Sequence, residues 1–238
     1  MSRLYCGTSG WIYSDWRGLF YPNELPQSKW LSYYSQRFDT VEINNSFYRL
    51  PEKCTFEKWR DESPLDFTFA VKASRFLTHM KKLKDPQEPL GRILANSDGL
   101  ASKRGPILYQ LPPYWHLNLT RLEEFLNILP VGARHVFEFR DDTWQCEAVW
   151  SLLQRFRVGY CIMDSPGLPQ HVRVTADFSY IRMHSGSNRG DYSHRQLLWW
   201  SDRVIELLQH GDVYIYFNND LHGYAVNNAL ELKRLVGR

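Results

Sequence analysis

Short β-rich runs alternate with helical patterns along this chain. Apolar and β-branched runs bounded by turn residues or prolines predict eight strands. They are Leu4–Thr8, Thr40–Asn44, Asp66–Ala73, Ile107–Leu111, His135–Arg140, Gly159–Asp164, Phe178–His184 and Asp212–Asn218. Apolar positions spaced three and four residues apart predict helices in the gaps. They are Ser28–Phe38, Thr120–Leu129, Glu147–Phe156, Ser193–His210 and Tyr224–Val236.

Eight strands that alternate with helices predict an α/β fold, a single TIM-like (β/α)8 barrel domain over residues 1–238. Pro166–Asp177, between strands six and seven, is too short and too rich in Pro and Gly for a full helix. We expect an irregular crossover there, with a short extended piece at His171–Val174. Ile12–Gln27 and Phe76–Pro89 are expected to be long loops on the ligand face.

An open doubly wound sheet is the alternative architecture. Gly7-Thr8-Ser9-Gly10 follows a predicted strand, as a dinucleotide-binding turn would. The residues after Gly10 do not begin a helix, so the fingerprint is incomplete.

Composition and charge exclude few classes of function. Hydrophobic residues make up 43% of the 238 residues and the net charge is +3, which is globular and mildly basic. This charge neither demands nor excludes a nucleic acid partner. The opening residues contain no long apolar stretch, and no apolar run approaches about 20 residues, so we expect a cytoplasmic protein with no membrane span.

Polar or charged residues stand at the carboxyl end of nearly every predicted strand. Side chains two apart on a strand share a face, so Glu42 pairs with Asn44, Glu138 with Arg140, and Arg182 with His184. Charged groups are too costly to bury against the helices without partners, which favours a position in the barrel mouth. Barrel enzymes place their sites at this end.

The mouth residues form the candidate site. Candidate catalytic groups are Glu42, Glu138, Asp164 and His184. Candidate ligand-binding residues are Thr8, Trp11, Asn44, Tyr48, Lys72, Gln110, Arg140, Arg182 and Asn218. Neighbouring cations would lower the carboxylate pKa values, which favours groups that bind or act as bases over acids. The structural alternative is a set of ion pairs that plugs the barrel.

Cofactor chemistry is not specified by these residues. Asp164, His184, Glu138 and Glu42 could supply metal ligands, but no local histidine pair exists and nearby cations would repel a metal. We therefore assign no metal residue, treat a divalent metal as a disfavoured alternative, and leave the cofactor unknown.

The same motifs resemble the YecE-like family, whose function is unknown. The resemblance starts at Gly7-Thr8-Ser9-Gly10-Trp11 and continues through Thr40-Val41-Glu42-Ile43-Asn44 to Tyr214-x-Tyr216-Phe217-Asn218-Asn219-Asp220. Its other segments are Phe69-Ala70-Val71-Lys72, Thr78-His79, Gln110-Leu111-Pro112-Pro113 and Glu138-Phe139-Arg140 with Trp144. The resemblance implies a TIM-barrel-like fold and no established activity. Asp141-Asp142-Thr143, and Ser185 after His184, depart from the family pattern.

Three functions fit these patterns. The first is an enzyme that acts by acid–base or hydrolytic chemistry on a small anionic ligand containing phosphate or sugar. The second is a protein that binds or processes nucleic acid, with aromatic side chains stacking on bases. The third is a non-catalytic sensor or scaffold that retains the pocket. Enzymatic activity itself is left open.

Overall fold

Eight parallel strands form one sheet in the computed structural model, which describes residues 2–237. They are β1 (Leu4–Thr8), β2 (Thr40–Ile43), β3 (Thr68–Lys72), β4 (Arg104–Leu111), β5 (His135–Phe139), β6 (Gly159–Asp164), β7 (Phe178–Met183) and β8 (Asp212–Phe217). All eight strand predictions are confirmed. The largest shift of a boundary is at β4, which begins at Arg104 and not at Ile107.

The sheet curls into a TIM-like barrel, as the sequence predicts. Hydrogen-bonded neighbours run in the order β1-β8-β7-β6-β5-β4-β3-β2. The seam between β1 and β2 is joined by a parallel bridge between Ser9 and Glu42, where the Gly10 N–H donates to the Glu42 carbonyl at 2.8 Å. The Tyr34 hydroxyl joins the seam further along by accepting from the Thr8 N–H at 2.9 Å and donating to the Thr40 carbonyl at 3.1 Å.

Helices cover the outside of the sheet. They are α1 (Trp30–Tyr34), α2 (Asn45–Tyr48), α3 (Lys53–Asp61), α4 (Gln87–Ser97), α5 (Leu119–Leu126), α6 (Glu147–Arg155), α7 (His194–Leu207) and α8 (Tyr224–Val236). Helix α7 begins with a capping box, in which the Ser193 side chain bonds the Gln196 backbone and the Gln196 side chain bonds back. No helix within residues 2–237 has the length and apolarity needed to cross a membrane.

The helices depart from the sequence prediction at α1, α4 and α5, and α2 and α3 form where no helix is predicted. Helix α1 and a short 3-10 turn at Gln27–Lys29 replace one longer helix over Ser28–Phe38. Helix α5 begins at Leu119, because Asn118 and not Thr120 caps it by accepting from the Arg121 N–H. The segment predicted as a loop at Phe76–Pro89 contains a π-helical turn, Phe76–Met80, and the start of α4.

The crossover between β6 and β7 is irregular, as predicted, and contains no helix. The Thr175 hydroxyl attaches it to β6 by accepting from the Tyr160 N–H at 2.8 Å and donating to the Val158 carbonyl at 2.7 Å. No regular strand forms at His171–Val174. The absence of a helix leaves the space beside the end of β6 to loop residues.

Aromatic side chains fill much of the barrel interior. Tyr5 and Tyr214 stack with their ring centroids 4.5 Å apart, and Tyr180 and Tyr216 lie 5.2 Å apart nearer the carboxyl ends of the strands. The barrel is therefore a packed core and not a channel. The polar groups of the mouth rest on this aromatic layer.

Candidate functional site

Four charged side chains point into the barrel at the carboxyl ends of the strands, which we call the mouth. They are Glu42 on β2, Lys72 on β3, Glu138 on β5 and Arg182 on β7. Strand side chains alternate between faces, and the residues two positions earlier belong to the barrel interior. Those interior residues are Thr40, Ala70, Val136 and Tyr180. The alternation of side chains along the strands therefore places all four charged groups inside the barrel at the same end.

The Arg182 guanidinium bridges two buried carboxylates. Its Nη2 donates to Glu42 Oε1 at 2.8 Å, and its Nη1 donates to Glu138 Oε2 at 2.6 Å. Glu42 also accepts from the Ser9 hydroxyl and the Tyr180 hydroxyl, each at 2.5 Å. All three charged side chains are at most 1% exposed. This arrangement compensates charges that would be costly to bury alone.

Glu138 is held in its ionised form by several donors. The Gln110 side-chain amide donates to Oε1 at 2.6 Å, and the Arg140 Nε donates to the same oxygen. Burial alone would raise the pKa of Glu138, but Arg182 and Arg140 outweigh burial and hold that pKa well below its usual range. Glu138 is therefore an anchor for cations at neutral pH.

His184 is neutral and lies beside Arg140. The Arg140 Nη2 donates to the His184 Nε2 at 2.9 Å, and the Asn218 amide lies 3.2 Å from Nδ1. Burial, together with the nearby Arg182, lowers the pKa of His184 to about 4. The ring can accept from Arg140 because it carries no charge at pH 7.

Lys72 differs from the other cations of the mouth because it forms no ion pair within residues 2–237. Its ammonium lies 4.3 Å from the centre of the Phe47 ring, and the residue is 8% exposed. Burial and the positive charge of Arg182 lower the pKa of Lys72 to about 8.

A cavity of about 870 Å³ opens beside this cluster. Gln110 and Arg140 line it from the barrel, His79 from the loop after β3, and Tyr114 from the loop after β4. Ser165–Pro169 of the irregular crossover form another wall. The volume lies in the range of small-molecule sites.

Two predicted site residues point away from the mouth. Asp164 lies on the outer face of β6, where its carboxylate accepts from the Trp200 indole N–H on α7 at 2.9 Å. Thr8 lies at the outer side of the β1–β2 seam, within hydrogen-bond distance of the Tyr34 hydroxyl. Burial raises the pKa of Asp164. Neither side chain belongs to the charged cluster, because the alternation along β1 and β6 turns both outward.

Three further predicted residues lie outside the cluster. Trp11 is buried against Trp59, edge-on at 5.2 Å between ring centroids. Tyr48 is 81% exposed. The Asn44 Oδ1 is buried and has no partner within residues 2–237, beside a cavity of about 140 Å³ between the first two loops. The structure thus brings together a smaller set than the sequence predicts. That set is Glu42, Lys72, Gln110, Glu138, Arg140, Arg182, His184 and Asn218.

Ser9 and Tyr180 belong to the cluster but are absent from the predicted site. Both hydroxyls donate to Glu42. The signal that could have found them is the strand period, since Tyr180 stands two residues before Arg182. Ser9 follows the end of β1 and Tyr180 lies in the middle of β7, so neither residue ends a strand.

The charged cluster carries one net positive charge when Lys72 is protonated, because Arg140, Arg182 and Lys72 face Glu42 and Glu138. Asp141 and Asp142 on the cavity wall add two carboxylates outside the cluster. Within residues 2–237 no three of the His, Cys, Asp and Glu side chains are grouped as metal ligands would be. A divalent metal stays the disfavoured alternative that the sequence analysis names.

Known proteins resemble this chain over nearly its whole length. Residues 5–238 match the family described as "Protein of unknown function DUF72". The UPF0759 protein YunF of Bacillus subtilis is 24% identical over 273 residues, which covers 98% of this chain and 94% of YunF. The UPF0759 protein YecE of Escherichia coli is 27% identical over 256 residues, which covers 96% of this chain and 89% of YecE.

A solved structure supports the same relationship. The crystal structure of a DUF72 family protein from Thermotoga maritima superposes with a TM-score of 0.90 and 28% identity, over 99% of this chain and 100% of that one. These matches confirm the resemblance to the YecE-like family and the barrel fold.

Proposed function

We propose that this chain, which belongs to the DUF72 family, binds a small anionic ligand at the barrel mouth and acts on it by acid–base chemistry. The observation that carries the proposal is the partly exposed Arg140 guanidinium on the wall of the cavity of about 870 Å³. An ion-pair plug that served only stability would have little reason to include Lys72, which pairs with no carboxylate among the described residues 2–237.

Arg140 is the group that we assign to ligand binding. It lines the cavity, and its side chain is 23% exposed, whereas Arg182 is 1% exposed. Glu138 and the neutral His184 hold two of its nitrogens. A guanidinium has five N–H donors, so further donors are available to a phosphate or carboxylate in the cavity.

The two buried carboxylates have a positioning role in this proposal. Glu42 and Glu138 accept three side-chain donors each, which uses most of their acceptor capacity. Proton transfer is assigned to less constrained groups near the cavity, Lys72 and His79. Burial, with Lys72 and Arg75 nearby, lowers the pKa of His79 to about 4, so its ring is neutral at pH 7 and can accept a proton.

The first test compares thermal shifts in three proteins. Inorganic phosphate and ribose 5-phosphate are added to wild type, Arg140→Gln and the control Arg92→Gln, which changes an exposed arginine on α4. We expect both compounds to raise the melting temperature of wild type and of Arg92→Gln, with the shift lost in Arg140→Gln. Equal shifts in all three proteins would show that Arg140 does not bind the anion.

Nucleic acid is a second candidate partner, because exposed aromatic and basic side chains rim the mouth. Tyr114 is 89% exposed and Tyr48 is 81% exposed, with exposed Arg75 and Lys82 in the neighbouring loop. A short single-stranded DNA in the same screen, at two salt concentrations, separates the candidates. Binding that weakens steeply with salt would favour nucleic acid. Phosphate binding without turnover of any bound compound would favour a sensor.

A further inference from the structure

Lys72 is a buried amine that forms an ion pair with no carboxylate of residues 2–237. It ends β3 on the inner face of the barrel, and its ammonium lies over the Phe47 ring at 4.3 Å. The His79 ring packs edge-on against the same Phe47 ring at 4.9 Å and also lines the cavity. Lys72 therefore lies one side chain away from the cavity wall.

The carboxylates of the mouth are unavailable to Lys72 because Arg182 and hydroxyl donors already occupy them. Glu42 is bonded to Arg182, Ser9 and Tyr180. Glu138 on β5 accepts from both Arg182 and Arg140, so two positive charges already face this carboxylate. Burying a charged ammonium in this position is costly. The protonation equilibrium of Lys72 therefore lies further toward the unprotonated amine than that of an exposed lysine.

The amine is consequently present in its reactive form near neutral pH. Burial and Arg182 lower the pKa of Lys72 to about 8. At pH 7 roughly one-tenth of the side chain is then unprotonated, far more than for a lysine of ordinary pKa. Desolvation and a neighbouring cation are the two means by which enzymes activate lysine as a nucleophile.

We propose that Lys72 is a nucleophilic amine that forms an imine with the carbonyl group of a small anionic ligand. The ligand class is a 2-oxo acid or a phosphorylated aldehyde or ketone, whose anionic group would bind Arg140. The inference rests on the proposed function, because it uses the same mouth and the same anion-binding residue.

The reaction balances without any further reagent. The unprotonated Lys72 nitrogen attacks the carbonyl carbon, a C–N bond forms, and the carbonyl oxygen is protonated to give a carbinolamine. Loss of that oxygen as water then leaves a C=N bond, so the net change is amine plus carbonyl to imine plus water. We assign movement of the proton to neutral His79, which packs against the same Phe47 ring as Lys72 and lines the cavity. No atom is oxidised or reduced.

Reductive trapping tests the inference in the intact protein. Wild type is incubated with glyoxylate, a small anionic aldehyde, and cyanoborohydride is added to convert the imine to a stable amine. Peptide mass mapping then locates the label. We expect Lys72 to be labelled at least about tenfold faster than the exposed Lys53, with a rate that rises with pH through about 8.

Matched variants and a neutral probe give the controls. Lys72→Arg keeps the positive charge and is expected to lose the fast label, whereas Lys53→Arg keeps it. Glycolaldehyde, which is uncharged, is expected to react with Lys72 more slowly than glyoxylate in wild type. Arg140→Gln is expected to abolish that preference for the anion.

The outcomes separate the two proposals. If Lys53 and other surface lysines are labelled as fast as Lys72, the imine inference is wrong, while Arg140-dependent stabilisation by phosphate would still support the proposed function. If Lys72 is labelled fast but equally by both aldehydes, and phosphate has no effect on melting, the amine is reactive and the anion site is wrong.

Discussion

At the scale of single residues, Arg182 determines the charge compensation inside the barrel. Its guanidinium donates to Glu42 and Glu138, which come from strands β2 and β5. Burial would lower the pKa of Arg182, but the two carboxylates outweigh burial and raise that pKa. Planar guanidinium geometry lets one side chain serve both acceptors, which an ammonium could not do with the same directionality.

Replacing Arg182 with an apolar residue should strongly destabilise the fold. Arg182→Met leaves two buried carboxylates without their main cation, and we expect a loss of about 3–5 kcal/mol in the free energy of unfolding. Urea denaturation measures this loss. The double variant Arg182→Met/Glu138→Gln should recover part of it, because one of the unpaired charges is removed.

The control for that experiment is Arg92→Met, which breaks an exposed ion pair with Glu88 on α4. Its cost should be at most about 0.5 kcal/mol. If Arg182→Met unfolds at the same urea concentration as wild type, the central ion pairs of the mouth contribute nothing to stability, and the whole cluster would have to be explained by binding.

At the scale of elements, the seam between β1 and β2 is the least regular part of the sheet. Gly7 allows the close approach there, because a Cβ at this position would lie 2.2 Å from the Thr40 carbonyl oxygen. The Tyr34 hydroxyl occupies the gap and bonds backbone groups of both strands. Closure of the barrel thus depends on a side chain from α1 as well as on strand pairing.

Removing this hydroxyl should open the seam locally. Tyr34→Phe leaves the Thr8 N–H and the Thr40 carbonyl without their partner, at a cost of about 1–3 kcal/mol. Hydrogen exchange of the Thr8 amide should accelerate. The exchange rates of the β5 amides should rise by no more than the global loss of stability accounts for. Tyr33→Phe, one residue earlier and half-buried, is the control. Unchanged exchange at Thr8 would show that the hydroxyl does not hold the seam.

Elements also show what the sequence could and could not predict. All eight strands were predictable because their apolar runs are bounded by strong turn residues. Helix α4 could not be predicted, because Pro89 and Gly91 interrupt the helical pattern of its first turns. Proline is tolerated there because the first N–H groups of a helix have no internal partner. Helix α3 buries only Phe56 and Trp59, which is too weak a pattern to distinguish it from a loop.

The candidate site was predictable as a set of strand ends but not as a network. Strand β6 is apolar on both faces, so its sequence does not show that Asp164 points outward. The contacts of Arg182 cross the barrel and join residues 140 and 44 positions apart, which no local pattern encodes. Only closure of the sheet decides which charges meet.

At the scale of the whole molecule, the buried titratable groups determine how stability responds to acid. His79, His135 and His184 come from three different parts of the barrel, and burial lowers the pKa of each to about 4. In the unfolded chain a histidine has a pKa of about 6.5. Between these two values the unfolded chain binds more protons than the folded protein.

Stability should therefore fall as the pH falls from about 6.5 towards 4, since protons favour the state that binds them. Glu138 affects stability over a lower range of pH. Its folded pKa lies below the ordinary value, so its stabilisation is present above that value and is lost only as the pH falls through the folded pKa. Histidines govern the first loss of stability on acidification, and the mouth carboxylate governs the later one.

Urea denaturation at pH 7.5 and pH 5 tests this order on one residue. His184→Gln removes a buried neutral histidine, so the loss of unfolding free energy between the two pH values should be about 1–2 kcal/mol smaller than in wild type. His210→Gln, at an exposed position, should behave as wild type does. A loss in His184→Gln as large as in wild type would mean that His184 is already protonated in the folded protein, and Arg140 would then face a cation and not an acceptor.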